Sequence, residues 1–140
     1  MKRRVQLADF EGPWRIEREI EDSLGGKPGR FSGTAVFSAD GALLRYRETG
    51  LLTYGDASPL HATREYIWSA DGAGIVVTHG DGQPFHRFDT ADLTPEADHH
   101  CAPDLYHVRY DFTRWPDWRA EWAVSGPRKD YRMVSRYQRV

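Results

Sequence analysis

The chain is poor in the features that most functional classes require. Its 140 residues include one cysteine, Cys101, so no internal disulfide can form. Positive charge is not in excess. With 19 Lys and Arg against 21 Asp and Glu, the net charge is -2, which gives no basic field for nucleic acid or an anionic membrane surface. No apolar run could span a bilayer. The charged start Met1-Lys2-Arg3-Arg4 is not followed by the apolar stretch of a secretory signal. A reducing, cytoplasmic location is therefore expected. Nucleophile elbows, dinucleotide fingerprints and phosphate loops are missing. So are internal repeats and low-complexity segments, and residues 1–140 are expected to form one domain around one core.

Aromatic residues, by contrast, make up 13% of the chain, alongside 13 Gly and 8 Pro, a composition that favours strands and turns. Leu7 to Gly12 reads as a short helical turn. From Trp14 onward a period of two takes over. Trp14, Ile16, Arg18 and Ile20 share one face against the charged Arg15, Glu17, Glu19 and Glu21. Further strands place Phe31, Gly33, Ala35 and Phe37, then Leu44, Tyr46 and Glu48, then Ala62, Arg64, Tyr66 and Trp68 on inward registers. Asp40-Gly41, Asp71-Gly72 and Asp81-Gly82 are hairpin signals. Gly50 to Pro59 reads as a loop or weak strand, and Thr90 to Pro103 as a long polar connection. Tyr106, Val108, Tyr110 and Phe112 alternate with polar residues, as do Trp118, Ala120, Trp122 and Val124, before a last strand from Tyr131. The expectation is an all-β fold of about eight to ten antiparallel strands. Successive hairpins imply a meander, and closing it into a single up-and-down barrel removes its edges; a two-sheet sandwich is the other solution.

The informative residues are polar ones on the inward face. A buried charge costs several kcal/mol unless paired. Arg18, Glu48 and Arg64 nevertheless share registers with Tyr46, Tyr66, Tyr106 and Tyr110. One reading is a structural network in which Glu48 bridges both arginines. The other, compatible with it, is a cavity whose arginines meet an anionic or carbonyl-bearing ligand between aromatic walls. His79 and His86 flank the Asp81-Gly82 turn, either as rim residues or as a polar group at a cavity mouth. His99-His100-Cys101 lacks the paired spacing of a zinc site, so no metal or other cofactor is expected. Trp118 and Trp122 read as core or wall rather than as a nucleic-acid stacking platform. Lys129, in the Gly126-Pro127-Arg128-Lys129 turn, could meet an anion at a barrel end.

Gly12-Pro13-Trp14, after a helical turn, resembles the Gly-x-Trp start of lipocalin and calycin barrels. The resemblance implies a late basic residue, Arg136 or Arg139, packed across Trp14. Over most of its length the chain resembles an uncharacterised bacterial and fungal family of lipocalin-like domains. The matching stretches are residues 12–14, Asp-Gly-Gln-Pro-Phe-His at 81–86, His-Cys-Ala-Pro-Asp-Leu-Tyr at 100–106, and Trp-Ala-Val-Ser-Gly-Pro-Arg-Lys-Asp-Tyr at 122–131. That family implies the fold and no particular activity. Unlike secreted lipocalins, the chain shows no leader, no disulfide pair and no helix outside the barrel.

The expected function is small-molecule binding, with Arg18, Tyr46, Glu48, Arg64, Tyr66, His86, Tyr106, Trp122 and Lys129 as ligand-binding candidates. The expected partner is that small ligand, without nucleic acid or membrane, and with a homodimer left open. A second reading is an enzyme. Phenolic acid decarboxylases are similar in placing Arg, Glu and Tyr inside a barrel for acid–base work on an aromatic acid, with Glu48 or His86 as the proton carrier here. The sequence shows no close tyrosine pair of the kind this chemistry would want. A third reading is a haem-binding barrel using His86, His100 or His107, although no histidine clearly falls on an inward register.

Overall fold

The computed structural model describes residues 4–140; the charged Met1-Lys2-Arg3 start lies outside the described residues. A 3-10 turn at Leu7–Phe10 precedes ten strands: β1 (Gly12–Asp22), β2 (Pro28–Asp40), β3 (Leu43–Tyr54), β4 (Leu60–Asp71), β5 (Gly74–His79), β6 (Pro84–Asp89), β7 (Glu96–Cys101), β8 (Asp104–Arg114), β9 (Asp117–Ser125) and β10 (Asp130–Arg139). They form one antiparallel sheet in the order β6-β5-β4-β3-β2-β1-β10-β9-β8-β7. Sequential neighbours pair throughout, and the β1–β10 ladder joins the two halves of the meander. β6 and β7 approach each other without a ladder, so the barrel is nearly closed.

The period-two assignments hold. Trp14, Ile16, Arg18 and Ile20 are buried on β1, and Leu44, Tyr46 and Glu48 on β3. Two segments depart from expectation. β3 runs on to Tyr54, so part of the expected loop is strand. The polar connection contains β7, paired with β8 from Glu96↔Arg109 to Cys101↔Asp104. Its inward side chains are small or polar, Ala97 and His99 among them, so alternation leaves no apolar signature.

One end is plugged. The Phe10 ring is fully buried and lies within 6 Å of Phe37, Trp68, Phe112, Trp115 and Trp118. Burying a phenylalanine this completely contributes about 2–3 kcal/mol. The Trp14 indole N–H donates to the Phe10 carbonyl at 2.8 Å. Arg139 stacks its guanidinium 3.9 Å from the Trp14 ring centroid and donates to the carbonyls of Glu11 and Asp9. Arg139, not Arg136, is thus the late basic residue across Trp14; Arg136 faces Glu19 on the outer surface.

β2 and β3 approach each other most closely at Gly33, which pairs with Gly50. A Cβ at Gly33 would sit 2.0 Å from the Thr49 carbonyl oxygen, and one at Gly50 would sit 2.2 Å from that of Ser32. Only glycine permits the two backbones to close on each other this way. The small inward residues Gly33 and Ala35 also leave the space across β2 in which β1 and β3 side chains meet.

Candidate functional site

Those side chains are Arg18 from β1 and Glu48 from β3, 8% and 2% exposed. Arg18 donates from Nη1 to Glu48 Oε2 at 2.7 Å, from Nη2 to Oε1 at 3.1 Å, and from Nε to Ser135 Oγ at 2.7 Å. Tyr46 donates to Glu48 Oε1 at 2.6 Å, and its hydroxyl lies 2.8 Å from that of Tyr137. Tyr46 spends its proton on Glu48, so Tyr137 donates to Tyr46. Every side-chain nitrogen and oxygen of this five-residue network has a partner. Burial alone would raise the Glu48 carboxyl; the Arg18 charge and the bonds from Arg18 and Tyr46 overcome it and hold the group below the ordinary carboxylate range. Burial likewise opposes the Arg18 charge, and Glu48 more than offsets it. Tyr46 and Tyr137 are pushed up, chiefly by burial.

Arg64 does not join the pair. It is exposed, makes no ion pair among the described residues, and has one long hydrogen bond, 3.4 Å to the Tyr66 hydroxyl. The bridge expected of Glu48 therefore reaches one arginine only. Arg64 lies directly across from Glu48 on the neighbouring strand, but buried Arg18 already takes both carboxylate oxygens, and the exposed Arg64 turns to the Tyr66 hydroxyl, where water competes for its charge.

Two adjacent spaces share part of their walls here. The inner one, about 40 Å³, is lined by Tyr66, Phe85, His86, Tyr110, Trp118 and Trp122 among others. The outer one, about 230 Å³, lies between Ile20, Phe31, Leu52 and Met133, with Asp22 and Thr63 also on its wall. Arg18, Glu48, Arg64 and Met133 border both, so Arg64 stands at the neck.

His86 is placed by a bulge. Val77 pairs with His86 but Thr78 pairs with Pro84, which leaves Phe85 as an extra residue on β6. Consecutive Phe85 and His86 are consequently both buried. Phe85 stacks on Trp122 at 5.1 Å and on His79 at 4.6 Å, so it separates His79 from His86 instead of letting them face each other. His86 is an interior residue rather than a rim one, which also corrects the expectation that no histidine points inward. Its Nε2 lies 2.8 Å from the Tyr110 hydroxyl, and Nδ1 has no partner among the described residues. Burial, with smaller effects from His99 and His79, pushes its imidazole down to about 3.

The remaining candidates divide. Tyr46, Tyr66 and Trp122 line the inner space. Lys129 and Tyr106 form a separate group in which Lys129 Nζ donates to the Tyr106 hydroxyl at 2.9 Å and lies 3.2 Å from Asp104. The hydrogen bonds to Tyr106 and Asp104 raise the Lys129 ammonium. His107 sits on the outer face between Asp98 and Glu96, and His100 and Cys101 are exposed. Sequence reasoning missed Tyr137 as Tyr46's partner, although its place on the last strand opposite Ile16 and Trp118 makes it inward. The close tyrosine pair that the sequence did not show is therefore present.

No curated protein matches the chain. Two solved structures share its shape. The S-type phycobiliprotein lyase CPES from Guillardia theta has 10% identity and a TM-score of 0.70, covering 96% of this chain and 90% of that one. A DUF3598 protein of unknown function from Nostoc punctiforme has 13% identity and a TM-score of 0.63, and this chain spans about half its length, with 99% of this chain and 51% of that one covered. Identities so low show a shared fold alone. A family model matches residues 10–139, which takes in nearly all of β1 to β10, and the chain belongs to that family, a family of unknown function, DUF6314.

Proposed function

We propose that this barrel binds a small organic anion at its open end, with Arg64 as the anion's partner and the apolar mouth holding its body. The observation that carries the reading is the contrast between the two inward arginines. Arg18 is already neutralised by Glu48 at 2.7 Å, whereas Arg64, at the neck of a cleft of mixed apolar and polar walls, makes no ion pair among the described residues and feels Glu48 only at longer range. A guanidinium in that position offers a planar fork of donors to a carboxylate or sulfonate. Gly12-Pro13-Trp14, with Arg139 over Trp14, supports a lipocalin-like class, and a single domain working in the cytoplasm fits this reading.

The test is a fluorescence titration with 1-anilinonaphthalene-8-sulfonate, an aromatic anion that brightens in apolar surroundings. Wild-type protein is expected to bind it, and Arg64→Ala to weaken binding about ten- to hundredfold, the worth of a charged hydrogen bond. An unchanged circular dichroism spectrum confirms that the fold survives. Equal binding by both proteins, or none by wild type, overturns the reading.

The acid–base enzyme reading gains the Tyr46–Tyr137 pair but lacks a group poised near neutrality, since Glu48 is held ionised and His86 neutral. Turnover of an aromatic acid that disappears in Tyr137→Phe would replace binding with catalysis. A haem macrocycle finds too little room in these spaces.

A further inference from the structure

His86 and Trp118 line the inner space, and each carries a buried side-chain nitrogen, Nδ1 and Nε1, that has no partner among the described residues. Trp118 also borders an outer cleft, so the weight falls on His86. Its tautomer follows from counting protons. Among the described residues the Tyr110 hydroxyl has His86 Nε2 as its one hydrogen-bond partner. If Nε2 carried the proton, both the Tyr110 O–H and Nδ1 would be left buried and unsatisfied. If Tyr110 donates to Nε2, only the Nδ1–H remains. Two residues that line the inner space therefore carry N–H donors that no described residue answers, each covered in the free protein and within reach of a group that enters beside it.

Size sets what can answer them. About 40 Å³ admits one or two groups the size of a water molecule and excludes an aromatic ring. A ligand body must stay in the mouth and send only a small head inward. The His86 ring is uncharged at neutral pH because burial disfavours its cation, so it offers a hydrogen bond without a counter-charge. That suits a neutral acceptor better than a second anion.

We propose that His86 Nδ1–H is a specificity-determining donor for an uncharged carbonyl oxygen, carried on the leading end of an organic acid whose anionic group meets Arg64. The inference rests on the Arg64 reading and adds the class of ligand, an acid that also bears a carbonyl. Phe85, stacked on Trp122 beside His86, fixes the donor's position from one side, and the Tyr110 bond fixes it from the other.

The probes are 4-formylbenzoate and 4-vinylbenzoate, which share shape and charge and differ in C=O against C=CH2. Wild-type protein, titrated by calorimetry, is expected to prefer the formyl compound at least tenfold, because the vinyl compound leaves a buried donor unpaired. His86→Phe should bring the ratio near one while keeping affinity for the vinyl compound, and His86→Asn, which retains an N–H near Nδ1, should restore part of it. Arg64→Ala should weaken both probes alike and leave the ratio intact. In nitrogen-detected NMR the His86 ring should show a proton on Nδ1 in the free protein, and that resonance should move with the formyl probe. A wild-type ratio near one, or a proton on Nε2, overturns the role of His86 and leaves Arg64 standing. Failure of both probes to bind removes both.

Discussion

At the scale of residues, Arg18 and Glu48 matter for what each would cost alone. A buried ion pair contributes little net stability against an apolar pair of the same volume, but half of one is expensive. Arg18→Met should therefore destabilise the barrel by about 3–5 kcal/mol, and adding Glu48→Leu should recover most of that loss. Urea denaturation reads both, and a double variant as unstable as the single would refute the accounting. His86 shapes the acid limb of stability. Its unfolded imidazole takes a proton near pH 6.5, and its folded one only near 3. Below pH 6.5 the unfolded state binds a proton that the native state refuses, so stability falls by up to about 1.4 kcal/mol per pH unit until about pH 3. Glu48, held below its ordinary range, stabilises above about pH 4.5 and loses that contribution only at lower pH. His107, raised between Asp98 and Glu96, acts in the opposite sense, and the difference between two proteins cancels it. Relative to wild type, His86→Phe should flatten the stability curve between pH 6 and 4.5. Parallel curves over that interval would show that His86 protonates as freely folded as unfolded.

At the scale of elements, alternation was readable wherever the inward positions were apolar. It found the faces of β1, β3, β4, β8 and β9, including the two inward charges, because Glu17 and Glu19 beside Arg18 left its direction unambiguous. It failed where the backbone departs from a plain ladder. β7 was hidden because its pairing with β8 is made by backbone groups that any side chain permits. The burial of His86 was hidden because one extra residue at Phe85 shifts the count by one, and no side chain in Pro84-Phe85-His86 announces a bulge. Arg64 borders the interior spaces as its register implies, but its exposure, and the capture of both Glu48 oxygens by Arg18, depend on side-chain packing that period two does not encode. The Gly33–Gly50 pair was legible only as two glycines, whereas its role in letting the two backbones approach requires the register. That role is testable. Gly33→Ala should cost about 3 kcal/mol or abolish folding, since the new Cβ meets a rigid carbonyl and not a side chain that can move. Gly41→Ala, in the β2–β3 turn with open space around it, should cost only the left-handed backbone penalty of about 1 kcal/mol. Equal midpoints in urea for the two variants would remove that role from Gly33.

At the scale of the whole molecule, the barrel is unevenly closed. At the plugged end Arg139 ties the last strand to the segment before the first, and the β1–β10 ladder runs through nine residue pairs from Trp14↔Arg139 to Asp22↔Tyr131. Opposite that ladder, β6 and β7 are the sheet's two edges, held together by side chains such as Phe85 against His99 at 5.3 Å. The backbone groups of both strands that face the seam have no ladder partner, so local opening there breaks no hydrogen bonds between strands. Phe85 and His86, which wall the inner space, belong to one of those edges. Native-state hydrogen exchange should therefore be slowest for amides of β1 and β10. Among strand amides it should be fastest, by about a hundredfold or more, for those of β6 and β7 that face the seam. Bound ligand should slow exchange at β6 more than at β1, because the walls it touches are attached to the edge that opens. Uniform protection around the barrel would mean that β6 and β7 are as firmly joined as any other pair, and the seam would then have no part in admitting a ligand.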